Sequence, residues 1–357
     1  MRAARWTFVL FLFSGAALTG AFLATSGPVG AEDPAHPDVG ILSPLLEPAP
    51  RRVPRAVVSP ELGEVLDLSL HEGSVAILAL DGWLLRSPSS SVQWKRSRSP
   101  GSPDWLGRPV SIALGPDSVY VLDEDRSVVS VWDRAGHRGR DLRIPSGSTY
   151  AQRPTQMLLG PRGSPLVALQ RVETGGEAFW DLLAFGPRGE VEPVLSLPRP
   201  SRSMVFSEPL LAFEGSTLFS LAPLTHGLSR VDLKTGRLVG VSNRADPPMW
   251  YVPRRHRREY RRMVRGLGGN ATWLAHLPDL WPSVRDFTVR DDGSLLVAVT
   301  AGEDRVHIEL LGPGMEPLGR FSEEGFLESV FLSQGRAFLA EEQMNGTVIH
   351  ELLPHTR

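Results

Sequence analysis

A row of polar residues recurs at one position in six strand–turn–strand units of this chain. Aligning the first strands of these units places six residues in register: Asp67, Ser111, Gln156, Leu210, Asp286 and Ser329. Five of the six side chains are polar, although apolar residues flank them. The two carboxylates could hold a divalent cation through oxygen ligands or act as an acid–base pair. The row is therefore the first candidate site for chemistry in the sequence.

The elements that must position this row are the six repeated units. Their openings start about 44, 45, 55, 75 and 43 residues apart, a period typical of propeller blades with one long insertion. The most regular unit, Val284–Phe321, reads as four short strands separated by turns that carry Gly, Pro or Asp. One such meander cannot bury enough surface alone, so copies must stack. The sequence predicts an all-β, six-bladed β-propeller with a helical insertion between blades four and five.

The polar row is expected to face the central channel, which the first strand of each blade lines. Strand alternation would point these side chains into the channel, and propellers usually bind ligands at one end of it. The predicted channel-mouth binding residues are Asp67, Ser111, Gln156, Asp286 and Ser329. A metal site there would use Asp67 and Asp286. The alternative is that a narrow, wet channel has a polar lining without any chemistry.

The sixth repeat lacks a strand, and the other end of the chain offers one. Three strands are predicted between Leu327 and Leu353, and no fourth follows them. A ring that does not close leaves exposed strand edges. The β-prone run Val53–Val58, which precedes the first repeat, is therefore predicted to be the fourth strand of blade six. The alternative is that this run is only a linker.

The N-terminal region has the features of a secretory signal. Arg2 and Arg5 precede the apolar stretch Trp6–Leu23, and residues 29–31 (Val-Gly-Ala) form a cleavage site. An uncleaved signal anchor is the alternative, because the apolar stretch approaches the length of a membrane span. The predicted regions are a signal at 1–31, a Pro-rich linker at 32–52 and the propeller at 53–357. The propeller is expected outside the cytoplasm, either periplasmic or secreted, or anchored to the membrane by its signal.

Composition excludes several classes of function. The net charge of −2 argues against a dedicated nucleic-acid binder. The chain has no cysteine, which excludes disulfides, thiol catalysis and cysteine-based metal centres. The zincin, nucleophile-elbow and P-loop motifs do not occur, and the nine histidines have no paired ligand spacing. No cofactor is expected in the preferred interpretation, and Ca²⁺ is expected in the alternative one.

The insertion at residues 244–282 breaks the blade rhythm and is strongly basic. Its run Arg254–Gly266 predicts one amphipathic helix, because apolar residues recur at helical spacing among arginines. Eight arginines against three acidic residues give the insertion a net charge of +5 and leave −7 for the rest of the chain. Such a field could attract an acidic partner or lipid headgroups. The alternative is a solvated face whose arginines pair with acidic propeller loops. The candidate binding residues of the insertion are Trp250, Tyr251, Arg254, Arg257, Arg258, Arg261 and Arg265.

Two stretches carry a resemblance to a known superfamily. The opening at Val284–Val299 and the unit at Val110–Gly136 resemble the six-bladed β-propellers of the NHL and TolB-like superfamily, many of whose secreted bacterial members have an unknown role. The resemblance covers about residues 53–357, and its motifs are structural. Some members look similar in carrying an Arg-rich helical insert before a late blade. Metal sites in the superfamily use several acidic and Asn ligands, whereas the row in this chain offers two carboxylates.

The preferred function is a secreted, non-catalytic β-propeller that binds a small ligand or an acidic protein partner through its loop face and basic insertion. An anionic membrane surface is a further predicted partner, and nucleic acid is not. The alternative is a metal-assisted hydrolase or lactonase that uses Asp67, Asp286 and Gln156 around a Ca²⁺-like ion. Fold alone does not decide between an enzyme and a binding protein.

Overall fold

The fold was analysed in a computed structural model. It describes residues 50–96, 99–145, 150–160, 163–173, 178–186, 188–198, 210–222, 226–244, 250–251, 280–281, 284–300, 305–324 and 330–353. These residues form six antiparallel sheets of four strands each and one two-stranded ladder. The predicted all-β, six-bladed β-propeller is therefore confirmed.

Each blade is a meander whose strands pair in order from the channel outward. Blades one to three consist of β2 (Val65–His71), β3 (Ser74–Ala79), β4 (Gly82–Arg86) and β5 (Ser91–Lys95); β6 (Pro109–Leu114), β7 (Ser118–Asp123), β8 (Val128–Asp133) and β9 (Arg138–Arg143); and β10 (Tyr150–Leu159), β11 (Pro165–Glu173), β12 (Ala178–Phe185) and β13 (Val191–Pro198). Blades four to six consist of β14 (Leu210–Glu214), β15 (Thr217–Leu221), β16 (Gly227–Asp232) and β17 (Arg237–Asn243); β20 (Val284–Val289), β21 (Leu295–Thr300), β22 (Arg305–Leu311) and β23 (Pro317–Glu324); and β24 (Val330–Ser333), β25 (Arg336–Gln343), β26 (Gly346–Leu353) and β1 (Arg51–Val58).

Strand alternation explains why the blades stack into a ring. All six residues of β3 are buried, because one face of the strand meets the previous blade and the other meets the next. Ile77 lies in the apolar cluster shared with blade six, while Leu78 lies in the cluster shared with blade two. Each of the six pairs of neighbouring blades shares one such cluster. The core is therefore a closed series of blade interfaces around a channel.

The ring closes with strands from both ends of the propeller, as predicted. β1 pairs antiparallel with β26, with Val53 opposite Glu351. β1 begins at Arg51, so it also includes the last two residues of the predicted linker. The Glu351 side chain is buried and accepts hydrogen bonds from Arg55 of β1 and Arg336 of β25, each at 2.5 Å. A carboxylate between two guanidinium groups thus ties the closing strand to its blade.

One glycine permits this closure. Gly346 begins β26 with a φ of +127°, and a Cβ atom there would lie 2.2 Å from the backbone oxygen of Val58. A side chain would force the start of β26 away from the end of β1, because neither backbone can yield without losing the pairing.

The insertion is partly described. β18 (Trp250–Tyr251) and β19 (Leu280–Trp281) form the two-stranded antiparallel ladder between blades four and five. The predicted helix at Arg254–Gly266 lies outside the described residues, which therefore give it no support. Within the described ranges the helical structure is a single 3-10 turn, Pro60–Leu62. None of the helices described has the length and apolar character that crossing a membrane requires.

Candidate functional site

The channel contains a cavity of about 380 Å³ that the innermost strands of all six blades line. Four of the five predicted channel residues are in its wall: Asp67, Ser111, Gln156 and Asp286. The fifth, Ser329, lies outside the described residues. The structure therefore brings together the part of the predicted row that it describes, while the binding role of the row remains a prediction.

A β-bulge accompanies the row in four blades. In β2, β6, β10 and β20 the pairing register shifts by one residue just before the polar residue. A bulge adds one residue to the inner strand and interrupts its strict alternation. Arg285 thereby lines the cavity together with Asp286. The sequence alignment missed this arginine, because alternation would point it away from the channel.

The Asp67 carboxylate joins blade one to blade two. Its Oδ2 accepts a hydrogen bond from the Ser111 hydroxyl at 2.7 Å and another from the backbone N–H of Ile112 at 2.8 Å. Its Oδ1 accepts from the N–H of Leu68, the next residue in its own strand, at 2.7 Å. Both oxygens of this predicted metal ligand are therefore hydrogen-bonded to the scaffold.

The Asp286 carboxylate repeats this arrangement between blades five and six. Its Oδ2 accepts from the N–H of Leu332 at 2.6 Å, and its Oδ1 accepts from the N–H of Phe287 at 2.8 Å. The two aspartates thus have the same role at two different blade interfaces.

Ser111 and Gln156 continue the ring with neutral side chains. The Ser111 hydroxyl accepts from the N–H of Met157 at 3.3 Å. The Gln156 amide spans to blade four, where it accepts from the N–H of Leu211 at 3.1 Å and donates to the carbonyl of the same residue at 3.2 Å. Each blade therefore has one inner-strand N–H satisfied by a side chain of this row. The six N–H groups belong to Leu68, Ile112, Met157, Leu211, Phe287 and Leu332.

The row is polar because each inner strand has no strand partner on its channel side. Such an edge presents unpaired N–H groups at alternate residues, and a buried N–H without an acceptor costs about 1–3 kcal/mol. Leu210, the row residue of blade four, has no acceptor for the inner-strand N–H of blade five. Asp286 therefore accepts the N–H of Phe287 in its own strand. Asp67 likewise accepts the N–H of Leu68 in its own strand, because blade six supplies no acceptor for it. Only an ionised carboxylate has two oxygens that accept without donating, which explains why aspartate stands at these two positions.

In blade six the structure assigns the row position to Phe331. In blade two, the N–H that donates to the aspartate of the preceding blade belongs to Ile112, the residue after the row residue Ser111. In blade six the corresponding N–H belongs to Leu332, so the row residue is Phe331. The sequence alignment had assigned Ser329, two residues earlier. The turns of blades one and six have the same length, but the inner strand of blade six is shorter between the row position and the turn. An alignment counted from the turn therefore places the row too early in this blade.

A second tier of hydroxyl groups lies two residues further along. Ser69 accepts from the N–H of Leu114 at 3.0 Å, and Ser333 accepts from the N–H of Leu70 at 3.3 Å. Thr288 accepts from the N–H of Gly335 at 3.1 Å. The sequence analysis did not identify this tier, although its residues follow the row by two positions, the spacing at which strand residues share a face.

Burial sets the electrostatics of the two aspartates. It raises the pKa of Asp67 from 3.8 to about 6, against the opposing effects of its hydrogen bonds and of the Arg285 charge. Burial also raises the pKa of Asp286 from 3.8 to about 7, and the negative charge of Asp67 adds to that rise. Backbone N–H groups therefore offset only part of the cost of burying two carboxylates in one channel.

The described wall does not by itself supply a complete ligand set for a divalent cation. Ca²⁺ takes six to eight oxygen ligands, whereas this wall offers two carboxylates whose four oxygens already accept hydrogen bonds. Across the described residues, no three His, Asp or Glu side chains form a group that could hold a metal ion.

The root of the insertion is held by a buried ion pair. Arg244, which follows β17, contacts Glu309 of blade five at 2.5 Å, and their side chains are 5% and 4% exposed. Arg320 contacts the other oxygen of Glu309 at 3.2 Å. The buried His226 lies nearby; burial lowers its pKa to about 4, Arg244 lowers it further and Glu309 opposes the shift. Sequence reasoning counted Arg244 only as part of the basic charge.

The two strands that flank the insertion place its ends at the same end of the channel as the polar row. β17 ends at Asn243 and β20 begins at Val284, so the insertion leaves and rejoins the ring at the face where inner strands start. Asp67 and Asp286 are each the third residue of an inner strand. Trp250 and Tyr251, predicted binding residues, lie in the two-stranded ladder, paired with Trp281 and Leu280. The predicted binding arginines from Arg254 to Arg265 lie outside the described residues.

Comparisons with known proteins identify a fold and no family. No protein-family model matches the chain, and no curated protein sequence matches it. Similar solved structures include a member of the DUF4221 family from Bacteroides vulgatus, with 10% identity, a TM-score of 0.50 and coverage of 85% of this chain and 98% of that one. A calcium-binding regucalcin from Agrobacterium tumefaciens has 12% identity, a TM-score of 0.49 and coverage of 87% and 99%. A streptogramin B lyase has 7% identity, a TM-score of 0.47 and coverage of 85% and 97%. These likenesses show the fold alone, and the six-bladed β-propeller that the resemblance implied is confirmed by the strand pairing.

Proposed function

We propose that this chain is an extracytoplasmic, non-catalytic β-propeller that binds an acidic protein partner at the face carrying its basic insertion. The observation that supports this proposal is that the channel carboxylates are hydrogen-bonded to the backbone of the propeller. Both oxygens of Asp67 and of Asp286 accept backbone N–H groups, one from the next residue of the same strand and one from the neighbouring blade. The groups left for recognition are then those of the loop face and the insertion.

Charge favours an acidic partner. The insertion has eight arginines, of which Arg244 is neutralised inside the propeller by Glu309. Seven arginines remain against three acidic residues in a segment whose two ends lie at one face of the ring. A local positive field steers acidic partners and weakens as salt screens it.

The ladder at the base of the insertion allows a clean deletion. Tyr251 pairs with Leu280, so replacing residues 252–279 with Asn-Gly creates a two-residue hairpin that matches the existing strands. The full chain should bind polyglutamate with an affinity that falls as salt rises, and the deletion variant should lose at least tenfold in affinity. A variant with the five predicted binding arginines changed to glutamine is the matched charge control and should lose as much.

The same experiment separates the membrane alternative. Phosphatidylglycerol vesicles, with phosphatidylcholine vesicles as the neutral control, test for a lipid surface. Binding to phosphatidylglycerol but not to polyglutamate would replace the protein partner with a membrane. Equal polyglutamate binding by the full chain and the deletion variant would refute a role for the insertion.

A metal-assisted hydrolase in the channel is the second candidate. The observation in its favour is that Asp67 and Asp286 share one cavity and both have raised pKa values, a combination found at acid–base sites. Its test is the melting temperature of the full chain in EDTA and then with Ca²⁺. An ion at a hundred times its Kd adds about 2.7 kcal/mol of stability. A rise with Ca²⁺ that disappears in Asp67→Asn supports the hydrolase, and no rise removes it.

A further inference from the structure

The outermost strand of blade four, β17, is a sheet edge that exposes apolar side chains. It pairs with β16 on one side and, among the described residues, with no strand on the other. Leu238, Val239 and Val241 are 61%, 58% and 58% exposed. An edge of this kind presents N–H and C=O groups that can pair with a further strand.

The other five outer strands are protected against such pairing. Proline occurs in β1, β13 and β23, and four of the six residues of β9 are charged. β5 is short, and none of the large apolar side chains exposed in the described ranges belongs to it. β17 contains no proline, and its one charged residue is Arg237, at its start. Because proteins usually block their sheet edges with proline or charge, β17 has the features of an edge that accepts a strand.

One face of this edge is apolar. Leu238 stands opposite Val231, and Val241 stands opposite Ser229. The one-residue bulge at Val239 keeps Leu238 and Val241 on the same face of the sheet, although strict alternation would separate them. A segment added along β17 therefore needs apolar side chains on this face.

The other face of the same edge is basic. Arg230 of β16 lies opposite Gly240, and its guanidinium group would be 3.8 Å from a Cβ atom at that glycine. It donates to the Ser242 hydroxyl at 3.1 Å and to the backbone carbonyl of Pro313 in blade five. Its Nε has no hydrogen-bond partner among the described residues, and within the same ranges neither Arg230 nor Arg237 forms an ion pair. A guanidinium group that donates to neutral acceptors still favours a carboxylate.

We infer that the acidic partner docks as an added strand along β17, through an extended segment in which apolar and acidic residues alternate. Successive residues of a strand point to opposite faces. The alternation would place apolar side chains beside Leu238 and Val241 and carboxylates beside Arg230. Main-chain hydrogen bonds to the edge supply affinity, and the alternate side chains supply specificity.

This docking mode rests on the proposed function, because it describes how the same acidic partner binds. β17 ends at Asn243, and the next residue, Arg244, is the first of the basic insertion. The strand edge is therefore continuous in the chain with the segment proposed to attract the partner.

A second copy of this chain fits the edge less well. β17 contains no acidic residue, so two β17 strands paired about a two-fold axis would supply no carboxylate to either Arg230. Charge complementarity therefore favours an acidic segment over self-association.

The test uses the full chain and a synthetic eight-residue peptide that alternates glutamate and valine. The control peptide has the same composition in two blocks, four glutamates followed by four valines. Calorimetry should show that the alternating peptide binds about tenfold more tightly. Hydrogen exchange read by mass spectrometry should show that it protects backbone amides within residues 238–243. Equal binding of the two peptides, or binding that leaves β17 unprotected, would overturn the inference.

Two variants test the two faces of the edge. The double variant Leu238→Ser with Val241→Ser, and separately Arg230→Gln, should each weaken binding of the alternating peptide by about tenfold. Val57→Ser is the matched control, because Val57 is 51% exposed on the outer strand of blade six, and it should change nothing. Sedimentation of the full chain as a dimer that the double variant dissociates would identify a second copy as the occupant and overturn the inference.

Polyglutamate separates this inference from the proposed function. It lacks apolar side chains, so the double variant should bind it as tightly as the full chain does. Polyglutamate binding that depends on the insertion, together with an alternating peptide that does not bind, would overturn the strand-docking mode and leave the proposed function standing. If neither polyglutamate nor the alternating peptide binds, both are overturned.

Discussion

Two regions of this propeller hold carboxylates away from bulk solvent, half-buried in the channel and fully buried in the blades, and they compensate the charge differently. In the channel, Asp67 and Asp286 accept hydrogen bonds mainly from backbone N–H groups. In the blades, Glu309 and Glu351 are each contacted by two arginines. An N–H dipole offsets part of a buried charge, whereas a guanidinium group cancels it. The inner carboxylates therefore remain titratable near neutral pH, while the outer ones act as ionic ties.

The largest loss of unfolding free energy is expected at Glu309, which forms a buried ion pair in the blades. Glu309→Gln leaves the Arg244 side chain, which is 5% exposed, without a counter-charge. Removing one partner of a buried ion pair costs about 3–5 kcal/mol, and urea unfolding should show a loss of that size. Arg320→Gln is the matched control, because Arg320 is 29% exposed and its loss should cost about 1 kcal/mol or less. Equal losses in the two variants would mean that Arg244 is not held by this pair.

The inner carboxylates should make stability fall as pH rises. Because their pKa values are raised above 3.8, the folded chain keeps protons that the unfolded chain releases between about pH 4 and pH 7. Their stabilisation is complete below pH 4 and is lost as pH rises through 6 and 7. At about 1.4 kcal/mol for each unit of pKa, we expect a loss of roughly 4 kcal/mol between pH 5 and pH 8.

His226 opposes this trend in the lower half of the window. Its pKa is lowered from 6.5 to about 4, so its contribution to stability increases as pH rises from 4 to 6.5. The carboxylate effect is therefore measured as the difference between the wild type and the variant with both Asp67→Asn and Asp286→Asn. A difference in unfolding free energy that stays constant from pH 5 to pH 8 would show that neither aspartate has a raised pKa.

The smallest effect is expected at a neutral member of the ring. Ser111 is 4% exposed, donates to Asp67 and accepts from the N–H of Met157. Ser111→Ala leaves that N–H without an acceptor and should cost about 1–2 kcal/mol in urea unfolding. Ser89→Ala, in an exposed turn, should have no measurable effect. If Ser111→Ala lost more unfolding free energy than Glu309→Gln, the inner ring would contribute more to stability than the outer ion pairs, contrary to this comparison.

Much of the fold could be predicted because its signals are local. Apolar alternation and Gly- or Asp-containing turns define each strand, and the four strands predicted over Val284–Phe321 are observed between Val284 and Glu324. The closing strand β1 could be predicted because a ring must close. The candidate row was found for the same reason: it repeats at one position in each unit. The predicted helix of the insertion and the predicted signal lie outside the described residues, so both stay predictions.

The sequence by itself determined the six blades, their closure and the alignment of polar residues along the channel. Only the tertiary structure decided what those residues do, because the partner of each side chain in the neighbouring blade lies 44–55 residues away in the sequence. The bulge that brings Arg285 to the cavity, the place of Phe331 in the row and the pairing of Arg244 with Glu309 all depend on how the blades stack. Alternation within a strand carries no information on that stacking, so these features appear only when the ring is complete.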